Sequence, residues 1–278
     1  MSNAPKTVSV GGVSFANDKP FALIAGPCQL ESRDHALDIA SSLKELTEEL
    51  GIGFVFKTSF DKANRTSLKA ARGLGLDAAL TVFAEVKSRL DVPITTDVHL
   101  PDQCAEAAEI VDLLQIPAFL CRQTSLLVAA ADTGKVVNVK KGQFVSAEAM
   151  KFAQDKILQS GNDKVILTER GTTFGYQDLV VDFRGIPVMQ AYGATVVLDC
   201  THSLQQPNQA SGVTGGRPAL IGAIANAGIA VGVDGLFIET HPRPAEALSD
   251  GANMLPLDQL ENLLERLVRI REAVHYSA

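Results

Sequence analysis

The stretch "FALIAGPCQLESRDHALDIASSLKEL", residues 21–46, decides the fold. Its first five residues form an apolar run of strand length, and a Gly-Pro turn follows directly. Apolar residues then recur three and four positions apart from Ala36 to Leu46, which is typical of an amphipathic helix. The stretch therefore predicts a strand, a turn and a helix, with the thiol of Cys28 in the turn.

Similar apolar runs recur along the chain, nearly all separated by segments of helical length. The eight runs span residues 21–25, 54–58, 93–98, 113–116, 136–139, 164–167, 195–198 and 235–238. Strands that alternate with helices predict a parallel sheet, and eight such units in 278 residues predict an α/β fold, a (β/α)8 TIM barrel. Within residues 1–20, the stretch TVSVGGVSFA alternates around a Gly-Gly pair and predicts an N-terminal β-hairpin that closes the bottom of the barrel.

No linker or change of composition divides the chain, so we expect a single catalytic domain over residues 1–278. Residues 203–218 are rich in Gly, Pro, Asn and Gln and fit no regular element. Long loops in compact domains often act as lids. We therefore predict a mobile active-site loop at residues 203–218.

Composition and charge exclude several classes of partner. The net charge is −7, and an acidic chain offers no overall positive field to nucleic acid or acidic membranes, so we expect neither as a partner.

The N-terminus lacks the apolar core of a secretory signal. The four cysteines are widely spaced without a CxxC pair, which indicates reduced thiols and a cytoplasmic location. The absence of GxGxxG and GxxxxGK[ST] argues against NAD or ATP.

Polar side chains follow the predicted strands at their C-terminal ends, where barrel enzymes build their active sites. A cationic group, which we expect to outnumber the anions near it, comprises Lys57, Lys62, Lys140 and Arg170. Such a group predicts a site for a small anion with phosphate and carboxylate groups. Further candidates in or just after the ends of the second, third and fourth strands are Ser59, Asp97, Gln115, Phe119 and Arg122.

A second group at these strand ends carries thiol, imidazole and carboxylate groups, all competent metal ligands. It comprises Cys28, His202, Glu239 and Asp250. The spacing alone leaves two interpretations open, because no local metal motif such as HExxH is present. The four residues bind a metal, or Cys28 is a buried packing residue and His202 a hydrogen-bonded loop histidine.

Eight motifs in chain order add a resemblance to a known family. They are "AGPCQLES", "FKTSFDKANRTS", "TTDVH", "LQIPAFLCRQT", "VNVKKGQF", "LTERGTTFGY", "DCTHSLQ" and "FIETHPRP". Together they closely resemble the 3-deoxy-D-manno-octulosonate 8-phosphate synthase family over essentially the whole chain. The resemblance implies a (β/α)8 barrel, a homotetramer, and condensation of phosphoenolpyruvate with D-arabinose 5-phosphate for lipopolysaccharide biosynthesis. Loop residues 205–218 match the family less well, so no role is carried over to them.

The resemblance also assigns site residues. Metal-dependent members carry Cys after Gly-Pro, as here at Cys28, where metal-independent members carry Asn. The implied ligands of a divalent ion (Zn, Fe, Mn or Co, not distinguished) are Cys28, His202, Glu239 and Asp250. The implied phosphoenolpyruvate residues are Lys57, Ser59, Lys62, Lys140 and Arg170, with backbone near Ala118. The implied pentose-phosphate residues are Asn64, Arg65 and Thr66, with Arg122 of a neighbouring subunit as a candidate.

We expect the groups closest to the chemistry to be Cys28, Lys62, Asp97, His202 and Asp250. Gln115, Ala118 and Phe119 are expected to line the substrates. One alternative is a 3-deoxy-D-arabino-heptulosonate 7-phosphate synthase, which uses erythrose 4-phosphate and usually reads KPRTS where this chain reads KANRTS. A Schiff-base aldolase using Lys140 or Lys141 is a second alternative, and a non-catalytic phosphosugar-binding barrel is a third.

Overall fold

The computed structural model describes residues 6–64, 71–175, 178–207, 209 and 214–275. The strands, in chain order, are β1 (Val8–Val10), β2 (Val13–Phe15), β3 (Ala22–Gly26), β4 (Gly53–Lys57), β5 (Ile94–Asp97), β6 (Leu113–Ile116), β7 (Val136–Lys140), β8 (Val165–Glu169), β9 (Thr172–Gly175), β10 (Asp178–Val180), β11 (Thr195–Asp199), β12 (Gln205–Gln206), β13 (Gly215–Gly216), β14 (Gly235–His241) and β15 (Leu255–Pro256). The α-helices are α1 (Arg33–Glu49), α2 (Leu76–Leu90), α3 (Pro101–Ala108), α4 (Thr124–Asp132), α5 (Met150–Gln159), α6 (Gly185–Ala191), α7 (Ile221–Val231) and α8 (Leu260–His275).

Eight parallel strands close into a barrel. Their spatial order is β3-β4-β5-β6-β7-β8-β11-β14, and β14 pairs back to β3 in parallel. An α-helix follows each of these strands along the chain. The barrel strands coincide with the eight apolar runs, so the predicted (β/α)8 TIM barrel is confirmed.

The turn after β3 shows why the first strand ends where it does. A Cβ at Gly26 would lie 2.0 Å from the carbonyl oxygen of Lys57, so only glycine allows β3 to approach β4 this closely. The hydroxyl of Ser32 then accepts a hydrogen bond from the backbone N–H of His35 and caps α1. Cys28 is thereby fixed between a strand end and a helix start.

An N-terminal hairpin closes one end of the barrel, as predicted. Strands β1 and β2 pair antiparallel over Val8–Phe15, a shorter hairpin than the predicted 1–20, and residues 1–5 lie outside the described residues. Three hairpin side chains pack against inward-facing side chains of the barrel strands, and these hairpin residues are Val8, Val10 and Phe15. The hairpin therefore completes the apolar core inside the barrel.

The predicted active-site loop contains regular structure. Within residues 203–218, β12 pairs antiparallel with β13, while residues 208 and 210–213 lie outside the described residues. A second hairpin, β9–β10, follows β8 and lies beside the same segment. No helix in the described ranges has the length and apolar character needed to cross a membrane.

Phe15→Ala tests the role of the hairpin. Phe15 is fully buried among the inward-facing residues, and truncating a buried Phe costs about 3–5 kcal/mol of unfolding free energy. We expect a loss of this size in urea denaturation. Ser14→Ala, on the same strand, is the control and is expected to change stability by less than about 0.5 kcal/mol. Equal stability of the two variants would show that the hairpin does not close the core.

Candidate active site

Alternation along the strands decides which polar residues reach the mouth of the barrel. Lys140, at the end of β7, is buried, and its Nζ donates to the carboxylate of Asp199 at 2.6 Å. The next residue, Lys141, instead donates to Thr172 Oγ1 at 2.9 Å and lies 3.3 Å from Glu169 Oε1. Of the two adjacent lysines, Lys140 therefore belongs to the site and Lys141 to its surrounding structure.

The structure brings the four predicted metal ligands together. One ligand atom from each lies within 4.8 Å of the others. They come from four separate segments: the turn after β3 (Cys28), the turn after β11 (His202), strand β14 (Glu239) and the segment before β15 (Asp250). Residues that are up to 222 positions apart in sequence are neighbours because the barrel closes between β14 and β3.

The arrangement of polar atoms in this cluster fits a divalent metal. His202 Nδ1 lies 2.8 Å from Asp199 Oδ2, and the other ring nitrogen, Nε2, lies 3.3 Å from Glu239 Oε2. Asp250 Oδ2 lies 3.8 Å from the same Nε2. Glu239 Oε2 is buried and makes no hydrogen bond within the described part of the chain. Metal-binding histidines commonly have this carboxylate partner on their other nitrogen.

The protonation of the ligands depends on their surroundings. Burial, and next the nearby Glu239 carboxylate, raise the pKa of the Cys28 thiol to about 12. The protein alone therefore favours the thiol, and a bound cation would favour the thiolate. Burial opposes ionisation of Glu239 as well, but His202 and Lys57 outweigh it and lower its pKa to about 2.

Within the described residues, two cations near the cluster make no hydrogen bond to a carboxylate. Lys62 Nζ donates to Ser59 Oγ at 2.9 Å. Arg170 Nη2 donates to Gln205 Oε1 at 2.6 Å, and its buried Nη1 makes no hydrogen bond to any described residue. These two side chains therefore have the positive charge most available to an anion.

The other two cations are paired with carboxylates. Lys57 Nζ lies 2.6 Å from Glu239 Oε1, and Lys140 Nζ lies 2.6 Å from Asp199 Oδ2. The expectation that cations outnumber anions here was wrong. The four cations face four carboxylates at the mouth of the barrel, Asp97, Asp199, Glu239 and Asp250. The charge of the site is therefore close to balanced, and the available positive charge is local to Lys62 and Arg170.

The remaining predicted residues divide between the site and the surface. Asp97 and Gln115 are buried and hydrogen-bonded to each other. Ala118 is half-buried, while Phe119 and Arg122 are exposed after β6 and do not join the cluster. Asn64 is also exposed. Arg65 and Thr66 lie outside the described residues.

Three residues of the site were given no role from the sequence. The Asp199 carboxylate contacts His202 Nδ1 and accepts a hydrogen bond from Lys140 Nζ. The alternation of side chains along β11 could have indicated that Asp199 faces the site. Gln205 donates from Nε2 to Asp250 Oδ2 at 3.0 Å and accepts from Arg170. Ser249 Oγ lies 3.0 Å from Cys28 Sγ. No pattern in the sequence identifies Gln205 or Ser249, since both lie outside the barrel strands and the helices, in stretches without apolar periodicity.

A second group of metal-ligand side chains lies outside the barrel mouth. It comprises Glu31, His35 and His241, whose ligand atoms also lie within 4.8 Å of one another. The backbone N–H of Arg243 donates to His241 Nδ1 at 2.9 Å, so a neutral His241 carries its proton on Nε2. That nitrogen, 3.7 Å from Glu31 Oε1, then has no lone pair for a metal. This group is not a candidate metal site.

Comparisons with known proteins give similar results over nearly the whole chain. A sequence model of the DAHP synthetase I family matches residues 4–275. The chain is 58% identical over 268 residues to a 2-dehydro-3-deoxyphosphooctonate aldolase of Brucella ovis, an alignment that covers 96% of this chain and 97% of the relative. A protein of the same name from Brucella abortus is 57% identical over 268 residues, with the same coverage of 96% and 97%.

Asp199→Asn tests whether the cluster binds metal as its geometry indicates. The variant replaces the carboxylate that contacts His202 Nδ1 with an amide. Loss of such a carboxylate partner typically lowers metal affinity about 10–100-fold. We expect this loss in competition titrations of Co²⁺ against a chelating dye. Asp234→Asn is the matched control, because Asp234 is a buried carboxylate that accepts from the backbone N–H of Val196 away from the cluster. Equal affinities in both variants and the unaltered chain would contradict the assignment.

Proposed function

The chain belongs to the DAHP synthetase I family, and we propose that it condenses phosphoenolpyruvate with D-arabinose 5-phosphate and water. The products are 3-deoxy-D-manno-octulosonate 8-phosphate and inorganic phosphate. The chain is an enzyme, and its activity is that of the 2-dehydro-3-deoxyphosphooctonate aldolases. The single observation that carries the assignment of substrates to this site is the pairing of a metal-ligand cluster with two available cations, Lys62 and Arg170.

The related heptulosonate synthase reaction is the weaker alternative. The family description covers that activity by name, but the relatives at 57–58% identity are octonate aldolases. The stretch KANRTS also places Asn64 where a longer sugar phosphate would use an additional polar contact. These two points favour the pentose phosphate over erythrose 4-phosphate.

We propose that Cys28, His202, Glu239 and Asp250 bind a divalent metal ion. The proposal is supported by the mixed donor set, by the carboxylate behind His202 Nδ1, and by the buried Glu239 Oε2 without a hydrogen bond. When bound there, a divalent ion would supply Lewis-acid chemistry toward an oxygen atom of the substrates. The same donor set accommodates Zn, Fe, Mn or Co.

The cations bind the two anionic groups of phosphoenolpyruvate in our proposal. Arg170 suits the phosphate, since a guanidinium offers two parallel donors, and Lys62 suits the carboxylate. Lys57 and Lys140 line the same space but each faces a carboxylate, so they also hold Glu239 and Asp199 in place. Binding both ends of the substrate turns an encounter into a near-attack geometry, an effect of up to about 7–11 kcal/mol.

The reaction then needs three changes in bonding. C3 of phosphoenolpyruvate forms a bond to the aldehyde carbon, and the aldehyde oxygen takes up a proton. Water adds at C2 and releases a proton. Inorganic phosphate then leaves from C2 with cleavage of the C–O bond, while the new C2 hydroxyl loses its proton and becomes the carbonyl group. Asp97 remains ionised throughout, because Lys57 and Lys62 outweigh the effect of burial and keep its pKa below the usual range. Its carboxylate accepts from Ser59 and Gln115 and so keeps both donors oriented.

We propose that the enzyme is a homotetramer in the cytoplasm. Large aromatic side chains are exposed on neighbouring segments, with 55% of Phe119, 59% of Phe144 and 74% of Phe174 accessible, which suits subunit contacts. Arg122 follows Phe119 closely, so a subunit contact there would bring Arg122 toward a neighbouring site, where the sugar phosphate binds. All four cysteines are free, as a reducing compartment requires.

We also propose that residues 203–218 act as a lid on one catalytic domain that comprises the whole chain, 1–278. Gln205 supports this role, because its amide connects Arg170 with Asp250 and thus spans the anion site and the metal ligands. Arrival of a substrate phosphate at Arg170 would compete with this contact. The loop would then rearrange around the bound substrate.

Phosphate release tests the proposed reaction. We expect release of inorganic phosphate from phosphoenolpyruvate only when D-arabinose 5-phosphate is present, and a fall of about tenfold or more after metal removal by a chelator. Mn, Co or Fe is expected to restore the rate. Full turnover of the metal-stripped enzyme would rule out the catalytic metal.

A parallel reaction with erythrose 4-phosphate separates the alternatives. The expected product mass is that of the eight-carbon sugar phosphate, with a clear preference for the pentose phosphate. A preference for erythrose 4-phosphate would establish the heptulosonate synthase instead. Trapping of substrate by borohydride would indicate a Schiff-base aldolase. Tight binding of both substrates without phosphate release would indicate a non-catalytic barrel.

A further inference from the structure

A chain of hydrogen bonds crosses the interior of the barrel below the anion site. It starts on β8, where the Thr168 hydroxyl donates to Asn138 Oδ1 at 2.7 Å. Asn138 Nδ2 then donates to Gln115 Oε1 at 3.1 Å. Gln115 Nε2 donates in turn to Asp97 Oδ1. Successive barrel strands β8, β7, β6 and β5 each contribute one member.

The chain continues to a cation at the mouth of the barrel. The hydroxyl of Ser59 donates to Asp97 Oδ2, the second oxygen of the same carboxylate. Lys62 Nζ donates to Ser59 Oγ at 2.9 Å. A buried threonine is thereby connected, through five hydrogen bonds, to one of the two available cations.

In this series of hydrogen bonds, the donor and acceptor of each bond are set by the neighbouring bond. An ionised carboxylate only accepts, so Gln115 must direct its N–H group toward Asp97 and its oxygen toward Asn138. Asn138 must then donate to Gln115, which leaves its oxygen to accept from Thr168. Thr168 and Asn138 are both fully buried, so bulk water cannot replace a missing donor.

We propose that Thr168 and Asn138 are positioning residues for substrate binding, acting through Gln115, Asp97 and Ser59 on the ammonium group of Lys62. Without the Thr168 hydroxyl, the buried Asn138 Oδ1 loses its donor, and Asn138 shifts or rotates toward another one. A shifted Asn138 no longer supports Gln115 Oε1, so Gln115, Asp97, Ser59 and finally Lys62 move from their positions. The inference rests on the proposed function, because it assigns Lys62 to the phosphoenolpyruvate carboxylate.

Thr168→Val removes the hydroxyl and keeps the shape of the side chain. We expect kcat/KM for phosphoenolpyruvate to fall about tenfold, mainly through KM, because a displaced Lys62 binds the substrate less well. The matched control is Thr95→Val. Thr95 is equally buried on β5, and its hydroxyl makes no hydrogen bond within the described ranges, so its loss should change kcat/KM by less than about twofold.

Further variants separate positioning from a structural defect. Thr168→Ser retains the hydroxyl and is expected to restore kcat/KM to within about twofold of the unaltered enzyme. If circular dichroism shows that Thr168→Val is not folded, the Thr168→Ala and Thr168→Ser pair makes the same comparison. Indistinguishable kinetics of the two threonine-to-valine variants, or failure of serine to rescue, would overturn the proposal. An unaltered enzyme inactive on phosphoenolpyruvate and arabinose 5-phosphate would instead reject the proposed function.

Discussion

Closure of the parallel barrel between β14 and β3 is the constraint on which the rest of the structure depends. It places the turn that carries Cys28 beside the strand that carries Glu239, although one lies near the start of the chain and the other near its end. Because side chains alternate along each strand, closure also turns Lys57, Lys140 and Asp199 toward one common space. Closure of the barrel thus determines the positions of both the metal-ligand cluster and the cations.

Electrostatic balance explains how so many buried charges coexist before substrate binds. Lys57 is paired with Glu239 and Lys140 with Asp199, and a buried charge without such a partner would be strongly destabilising. Lys140 also lies 3.7 Å from the centre of the Phe237 ring, a favourable cation–π distance. Lys62 and Arg170 instead donate to the neutral side chains of Ser59 and Gln205, and these two cations are therefore the ones most available to the substrate anions.

Much of this arrangement could be predicted from the sequence, because apolar runs and the residues that end them carry the topology. The runs predicted all eight barrel strands, and the strand ends predicted that Cys28 and Glu239 would meet. The charge balance could not be predicted in the same way. It depends on which carboxylate faces which lysine, as with Asp199 and Lys140, and strand ends alone do not give that pairing.

Contacts made outside the barrel strands and helices also could not be predicted from the sequence. Ser249 contacts Cys28, and Gln205 connects Arg170 with Asp250, yet both lie in stretches without apolar periodicity, outside the barrel strands and the helices. The hydrogen-bond chain through Asn138 and Thr168 depends on the register between neighbouring strands, which is set by barrel closure. Register and loop conformation are tertiary properties, so a linear pattern leaves them undetermined.

Anomalous X-ray diffraction from crystals of the Co²⁺-loaded protein would show whether the four side chains of the metal-ligand cluster bind the ion. We expect a strong peak at the cobalt edge, bound by Cys28 Sγ and His202 Nε2 with carboxylate oxygens of Glu239 and Asp250. A cobalt peak away from these atoms, or fully loaded protein whose Cys28 makes no contact with the ion, would contradict it.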